Sequence, residues 1–167
     1  MTRLLRVLLV EDCQEDALLL LRELRKGGYN PQSQRVATEA ELRRALQSAE
    51  WDLVLSDYSL PGFGGREALR QVQESGLDLP FILVSGAISE EMAVEGMKSG
   101  AHDFVLKQNL GRLLPAVDRE LREAKERRER RRAEAALRQS EQRQRLHFAQ
   151  TPLGVIEWDA NGRVVAW

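Results

Sequence analysis

The stretch LVLSDYSLPG, residues 53–62, carries an apolar run straight into an aspartate and then breaks at a proline and a glycine. A continuous run of this kind reads as a short strand covered on both faces. Such a strand should not end on a lone charge, because an unpaired buried carboxylate is very unfavourable. Asp57 therefore needs partners from elsewhere in the chain.

Working outward, DLVLS at 52–56 is the third of five apolar runs, with RVLLV at 6–10, SQRVA at 33–37, PFILVS at 80–85 and DFVLK at 103–107. Helix-like segments at 14–26, 39–49, 66–75 and 89–98 fill the gaps and are closed by glycine, tryptophan or proline. Strands alternating with helices at this spacing predict right-handed crossovers and a doubly wound α/β fold around a parallel sheet. The second run is weak and is expected at an edge.

The stretch 110–145 reads differently, as one long helix with Pro115 in its first turn. Leu114, Val117, Leu121 and Ala124 keep helical spacing, and the same frame then meets Arg128, Arg131, Ala135 and Arg138. The first turns are expected to pack on the sheet and the later ones to leave it and pair with a second copy. A solvated single helix of mixed charge is the alternative. After it, PLGVIEWDANGRVVAW reads as two strands joined at 159–162. A lone hairpin is marginal in water, so this is expected to be the first part of a further domain.

The chain has 167 residues, 43% of them hydrophobic, enough for one real core and a remainder. A formal net charge of -1 argues for neither nucleic acid nor an acidic membrane surface as partner. That average hides a segregation of about -5 over 1–111 and about +5 over 112–145. The arginine run 127–132 is interspersed with glutamate and lacks stacking aromatics, which favours a solvated helix flank over nucleic-acid binding. The single cysteine, Cys13, excludes an internal disulfide framework and suits a reducing compartment, hence the cytoplasm. Adjacent acids should raise its thiol pKa, which favours a small partly buried residue over a redox sensor. No segment has the length and apolarity of a membrane span, and the opening MTRLLRVLLVED is too brief for a signal peptide.

In an open parallel sheet, ligands bind beyond the carboxyl ends of the strands. There the sequence places Glu11 and Asp12 after the first run, Asp57 after the third, Ser85 after the fourth and Lys107 after the fifth. Clustered acids repel one another, and a hard divalent cation such as Mg²⁺ relieves them. The set suits phosphoryl transfer onto a carboxylate: Asp57 as nucleophile, Lys107 and the cation offsetting charge, the Ser85 hydroxyl donating to a phosphoryl oxygen. A glycine-rich phosphate loop is missing, so the donor is expected to be something other than a bound nucleotide.

VLLVED, LVLSDYSLPG, ILVSGA and DFVLK, in this order and spacing, resemble the receiver domain of two-component response regulators. The resemblance implies a flavodoxin-like five-stranded sheet of order 2-1-3-4-5 over residues 1–118, which accepts a phosphoryl group from a phosphohistidine onto Asp57 and catalyses its own phosphorylation and dephosphorylation. It implies Mg²⁺ held by Asp12, Asp57 and the backbone carbonyl of Ser59, with Glu11 acting through water. It also implies a switch in which Phe104 and the Ser85 hydroxyl report phosphorylation, although Phe104 reads equally well as a core aromatic. Gln108 stands where receivers usually carry a cis-proline, so an ordinary trans bond is expected there. Ser85 replaces the commoner threonine, and Ser59 and Ala87 occupy positions that tune hydrolysis in the family.

Residues 119–147 resemble a signalling coiled-coil helix, and 148–167 the truncated start of a PAS domain. The parent implied is a receiver-first sensor protein such as a hybrid histidine kinase, with no kinase core in this stretch. HFAQTPL at 147–153 matches the spacing of a histidine-kinase phosphoacceptor segment, but Phe148 stands where an acid is usual, so the match reads as chance. His102 reads as a surface loop residue. The alternative to a phosphoacceptor module is a phosphorylation-independent dimerisation scaffold with a vestigial acid pocket, and a hydrolase of phosphate esters is disfavoured by Ser59, where a second acid is wanted.

Overall fold

In the computed structural model, strand β1 (Arg3–Val10) buries Val7, Leu8, Leu9 and Val10 to 1% exposure or less. Alternate side chains of a strand face opposite sides, so β1 feeds two cores. Leu5, Val7 and Leu9 pack with Ala17, Leu20, Leu21 and Leu24 of helix α1 (Gln14–Lys26) and with the start of the long C-terminal helix. Leu8 and Val10 pack with helices α2 (Glu39–Ser48) and α3 (Gly65–Glu74) on the other face. Each fully buried Leu or Val contributes about 2 kcal/mol to this sandwich. The structure describes residues 2–86, 90–150, 157–158, 161 and 163–166, which fall into two compact units, 1–126 and 127–167.

The sheet of the first unit has the order β2-β1-β3-β4-β5, all parallel, as expected. Strands β3 (Leu53–Asp57) and β4 (Phe81–Ser85) are buried at every position, which is why their sequences run apolar without alternation. Strand β5 (Asp103–Leu106) closes one edge and β2 (Tyr29–Val36) the other. β2 begins four residues before the expected 33–37 and pairs with β1 along its whole length, from Arg3↔Tyr29 to Val10↔Val36. Only Tyr29 and Val36 of β2 are buried, and an edge strand tolerates Pro31.

Local signals set the helix ends. Thr38 and Glu41 form a capping box at the start of α2: the Glu41 N–H donates to Thr38 Oγ1 at 3.3 Å and the Thr38 N–H to Glu41 Oε2 at 3.2 Å. Helix α4 (Glu90–Lys98) meets the sheet through Gly96, where a Cβ would lie 2.7 Å from Leu83 Cδ1. His102 is not the surface residue expected: half-buried, it receives the Phe81 N–H at Nδ1 (3.1 Å) and donates its own N–H to Phe81 O (2.9 Å). It thereby ties β5 to β4 just before their ladder begins.

A 3-10 turn over Lys107–Arg112 precedes helix α5 (Leu113–Gln150), so the helix starts three residues later than the expected 110. No cis peptide bond occurs among the described residues, in line with an ordinary bond before Gln108. Val117 and Ala124 of the expected seam are buried, and Leu114 and Leu121 are partly buried against the core. Glu120 is buried as well, paired with Arg119, which also bonds Asp103. In the second unit the described side chains of α5 are mostly exposed, Leu137 and Leu146 among them. Strands β6 (Glu157–Trp158) and β7 (Val164–Ala166) pair antiparallel, as the hairpin reading expects. Residues 151–156, 159–160, 162 and 167, within the stretch on which the PAS resemblance rests, and the side chain of His147 lie outside the described residues. Among the described residues no helix is long and apolar enough to cross a membrane.

Candidate functional site

Glu11 and Asp12 follow β1 directly, Asp57 ends β3, and Lys107 comes one residue after β5. Because β3 lies between β1 and β4, these strand ends converge from separations of up to 96 residues. Lys107 Nζ donates to Asp57 Oδ2 at 2.6 Å, to Glu11 Oε2 at 2.9 Å and to Asp16 Oδ2. The three protons of the ammonium are thus matched by three carboxylates. Oxygens of Glu11, Asp12 and Asp57 all lie within 4.8 Å of one another, a donor set of hard oxygen ligands that fits Mg²⁺.

The backbone holds these groups in place. The Ser59 N–H donates to Asp57 Oδ1 and the Cys13 N–H to Glu11 Oε1, both at 3.0 Å. Arg35, at the end of β2, donates through Nη1 to the carbonyl oxygens of Glu11 and Asp12, each at 3.0 Å. Behind Asp57 the wall is the start of α3: a Cβ on Gly65 would lie 2.8 Å from the Asp57 carbonyl oxygen and 2.7 Å from Leu83 Cδ2. Glycine is needed there for the close approach itself.

Burial shapes the electrostatics. Glu11, 1% exposed, has its carboxyl pKa raised by burial above all, with the charge of Asp57 adding to the rise; the Lys107 and Cys13 hydrogen bonds pull the other way. For Lys107, burial alone would lower the ammonium pKa. Hydrogen bonds to Asp16, Asp57 and Glu11 outweigh it and hold the pKa well above the ordinary lysine value. The lysine is therefore a fixed positive charge.

The remaining candidates sit around this centre. Ser85 is 2% exposed at the end of β4, one position beyond Val84, the register partner of Asp57. Ser59 is exposed on the loop after β3. Phe104 is half-buried against the α2/α3 core, opposite Leu83 in the β4–β5 ladder. Gln108 Nε2 donates to the Gly86 carbonyl at 3.0 Å, linking the loops that follow β4 and β5. Sequence reasoning missed Asp16 and Arg35. Asp16 looks like an ordinary acid in the first turn of a helix, and the only available signal was its place five residues after Glu11.

Residues 7–118 match the response regulator receiver domain. Among curated proteins, the C4-dicarboxylate transport transcriptional regulatory protein DctD of Pseudomonas aeruginosa is 36% identical over 104 residues, 58% of this chain and 22% of that protein. The phosphate regulon transcriptional regulatory protein PhoB of Rhizobium meliloti is 32% identical over 123 residues, 72% of this chain and 53% of that protein. The chain thus spans between about a fifth and about a half of these relatives' own length. Among solved structures, the beryllofluoride-activated NtrC4 receiver domain dimer superimposes with a TM-score of 0.62 at 25% identity, covering 71% of this chain and 98% of that one. FixJ-N gives 0.61 at 27% identity, covering 71% and 94%. With the acid cluster, the central aspartate and the lysine brought together on a sheet of order 2-1-3-4-5, this chain belongs to the response regulator receiver domain family.

Proposed function

We propose that the first unit is a phosphoacceptor that takes a phosphoryl group from a phosphohistidine onto Asp57 and relays the change along α5. The observation that carries this reading is Lys107 donating to both Asp57 and Glu11, beside a trio of carboxylates spaced for a cation. Bonding leaves Asp57 oriented: Ser59 N–H holds one oxygen and Lys107 the other. In the transfer, a bond forms between an Asp57 carboxylate oxygen and phosphorus, and the phosphorus–nitrogen bond of the donor imidazole breaks. The imidazole keeps the electron pair. Lys107 then exchanges Asp57 for a phosphoryl oxygen, and Ser85 supplies a hydroxyl donor from the end of β4. Glu11, Asp12, Asp57 and the Ser59 carbonyl would hold Mg²⁺, which supplies charge stabilisation for the phosphoryl oxygens when bound.

The switch proposed is a shift of Ser85 and Phe104, transmitted to the face of α4, β5 and α5. In this reading residues 1–118 are the receiver, 119–147 a signalling coiled coil that pairs two copies, and 148–167 the start of a PAS domain in a cytoplasmic receiver-first sensor protein such as a hybrid histidine kinase. The dimer described for the activated NtrC4 receiver supports pairing. The test is incubation with acetyl phosphate and Mg²⁺ followed by intact mass measurement. The wild type is expected to gain one phosphoryl group and Asp57→Asn none, and an equal response of both proteins overturns the assignment.

A further inference from the structure

Asp16 stands apart from the other acids at the site. It occupies the first turn of α1 and bonds Lys107 Nζ from 91 residues away, yet it lies outside the Glu11, Asp12, Asp57 trio whose oxygens are within 4.8 Å of one another. Its side chain is 35% exposed, whereas those of Glu11 and Asp57 are 1% and 11% exposed. Its backbone is rigid, since the next residue, Ala17, and then Leu20, Leu21 and Leu24 pin α1 to the sheet. The Lys107 ammonium is therefore held by two carboxylates of the trio and by one outside it.

We propose that Asp16 is the positioning residue for Lys107, the anchor that keeps the ammonium in the pocket once a divalent cation and a phosphoryl group claim Glu11 and Asp57. The inference rests on the phosphoacceptor reading above. When Glu11 and Asp57 turn to a cation, Lys107 loses their attraction and gains the repulsion of a double positive charge, which is strong in a poorly hydrated site. The carboxylate partner that remains to the ammonium, outside the trio, is Asp16. With it in place, Lys107 keeps one carboxylate partner while it takes up a phosphoryl oxygen. Without it, the flexible lysine stem lets the charge escape to water. A simple helix-terminus role does not account for the contact, because the Asp16 carboxylate bonds Lys107, 91 residues away, whereas Glu15, in the same turn, is exposed.

The test is amine-directed acylation of the full chain with and without Mg²⁺, with peptide mass mapping at Lys107 and exposed Lys98 as the internal reference. Wild type and Glu15→Gln are expected to keep Lys107 protected under both conditions. Asp16→Asn is expected to keep it protected without the cation and to lose protection on the order of tenfold with it, alongside a comparable slowing of acetyl phosphate uptake at unchanged donor half-saturation. Asp16→Glu should restore protection. Lys107 in Asp16→Asn staying as protected as in the wild type with Mg²⁺ overturns the proposal, as does Glu15→Gln behaving like Asp16→Asn. If the wild type takes up phosphate while Asp16→Asn matches it in every respect, the role of Asp16 fails alone. If the wild type neither responds to Mg²⁺ nor takes up phosphate, the phosphoacceptor reading fails with it.

Discussion

Arg6, midway along β1, and Lys107, just after β5, each gather several carboxylates, but they do so under different charge balance. Arg6 grips Asp52 as a fork, through Nη2 to Oδ1 at 2.8 Å and Nε to Oδ2 at 3.1 Å, while the Arg6 N–H also donates to Asp52 Oδ2 and the Asp52 N–H to the Arg6 carbonyl. Its second acid, Glu50, is 86% exposed and keeps its water. Every charge in that cluster is matched or solvated. At Lys107, three acids (Glu11, Asp16 and Asp57) share one ammonium, a fourth, Asp12, lies beside two of them, and Glu11 and Asp57 are buried. A fold that needed only stapling would use the first design. The surplus of negative charge in the second is tension held ready for a positively charged ligand.

The largest way to break this contrast is Lys107→Met. Removing the ammonium leaves the acids unopposed, and the urea unfolding free energy is expected to fall by about 3 kcal/mol without metal. Saturating Mg²⁺ should return a large part of that loss, because a ligand bound only by the native state stabilises it by mass action. Arg6→Met should show no such Mg²⁺ rescue, and a rescue of both or of neither would erase the distinction between the clusters.

A sharper comparison uses one chemical change at both places. Asp57→Asn takes a charge out of a repelling group but leaves a single amide oxygen, which accepts from either Lys107 or the Ser59 N–H, so the gain in metal-free stability is partly offset and is expected to be at most about 1 kcal/mol. Asp52→Asn takes a charge out of a matched fork, and stability should fall by about 1–2 kcal/mol. Opposite signs in parallel urea titrations support the contrast; equal signs end it.

The smallest effect concerns the other structural cluster on β1, where Arg3 lies over the Tyr29 ring at 4.5 Å and Tyr29 donates to Asp118. Burial, and then the bond to Asp118, push the Tyr29 phenol up to about 12. A folded pKa above the unfolded value of about 10 means a contribution present in full below pH 10 and lost as the pH climbs from 10 toward 12. Wild type is expected to exceed Tyr29→Phe in stability by about 1 kcal/mol at pH 8, with the margin shrinking over that alkaline window and Mg²⁺ without influence.

What the sequence disclosed follows from how local each signal is. β1, β3 and β4 were legible because strands buried on both faces must be apolar throughout. β2 was read short because YNPQSQRV is held by backbone pairing with β1 while six of its eight side chains stay out of the core. At the site, Glu11, Asp12, Asp57 and Lys107 announce themselves as polar residues ending apolar runs. Asp16 and Arg35 do not, since an acid opening a helix and a cation ending an edge strand are ordinary where they stand, and only the folded chain shows what they touch. His102 was misread for the same reason: its partner, Phe81, is 21 residues away.

The bare α-carbon of Gly65 sets a direction. With the α3 terminus pressed against the Asp57 carbonyl and Leu83 filling the remaining gap, the floor under the aspartate has no slack on that flank. Bulk added above it cannot be absorbed by sinking. On the β4 side the Gly86 carbonyl accepts from the Gln108 amide, so a displacement of Gly86 would be felt at Gln108, beside Lys107.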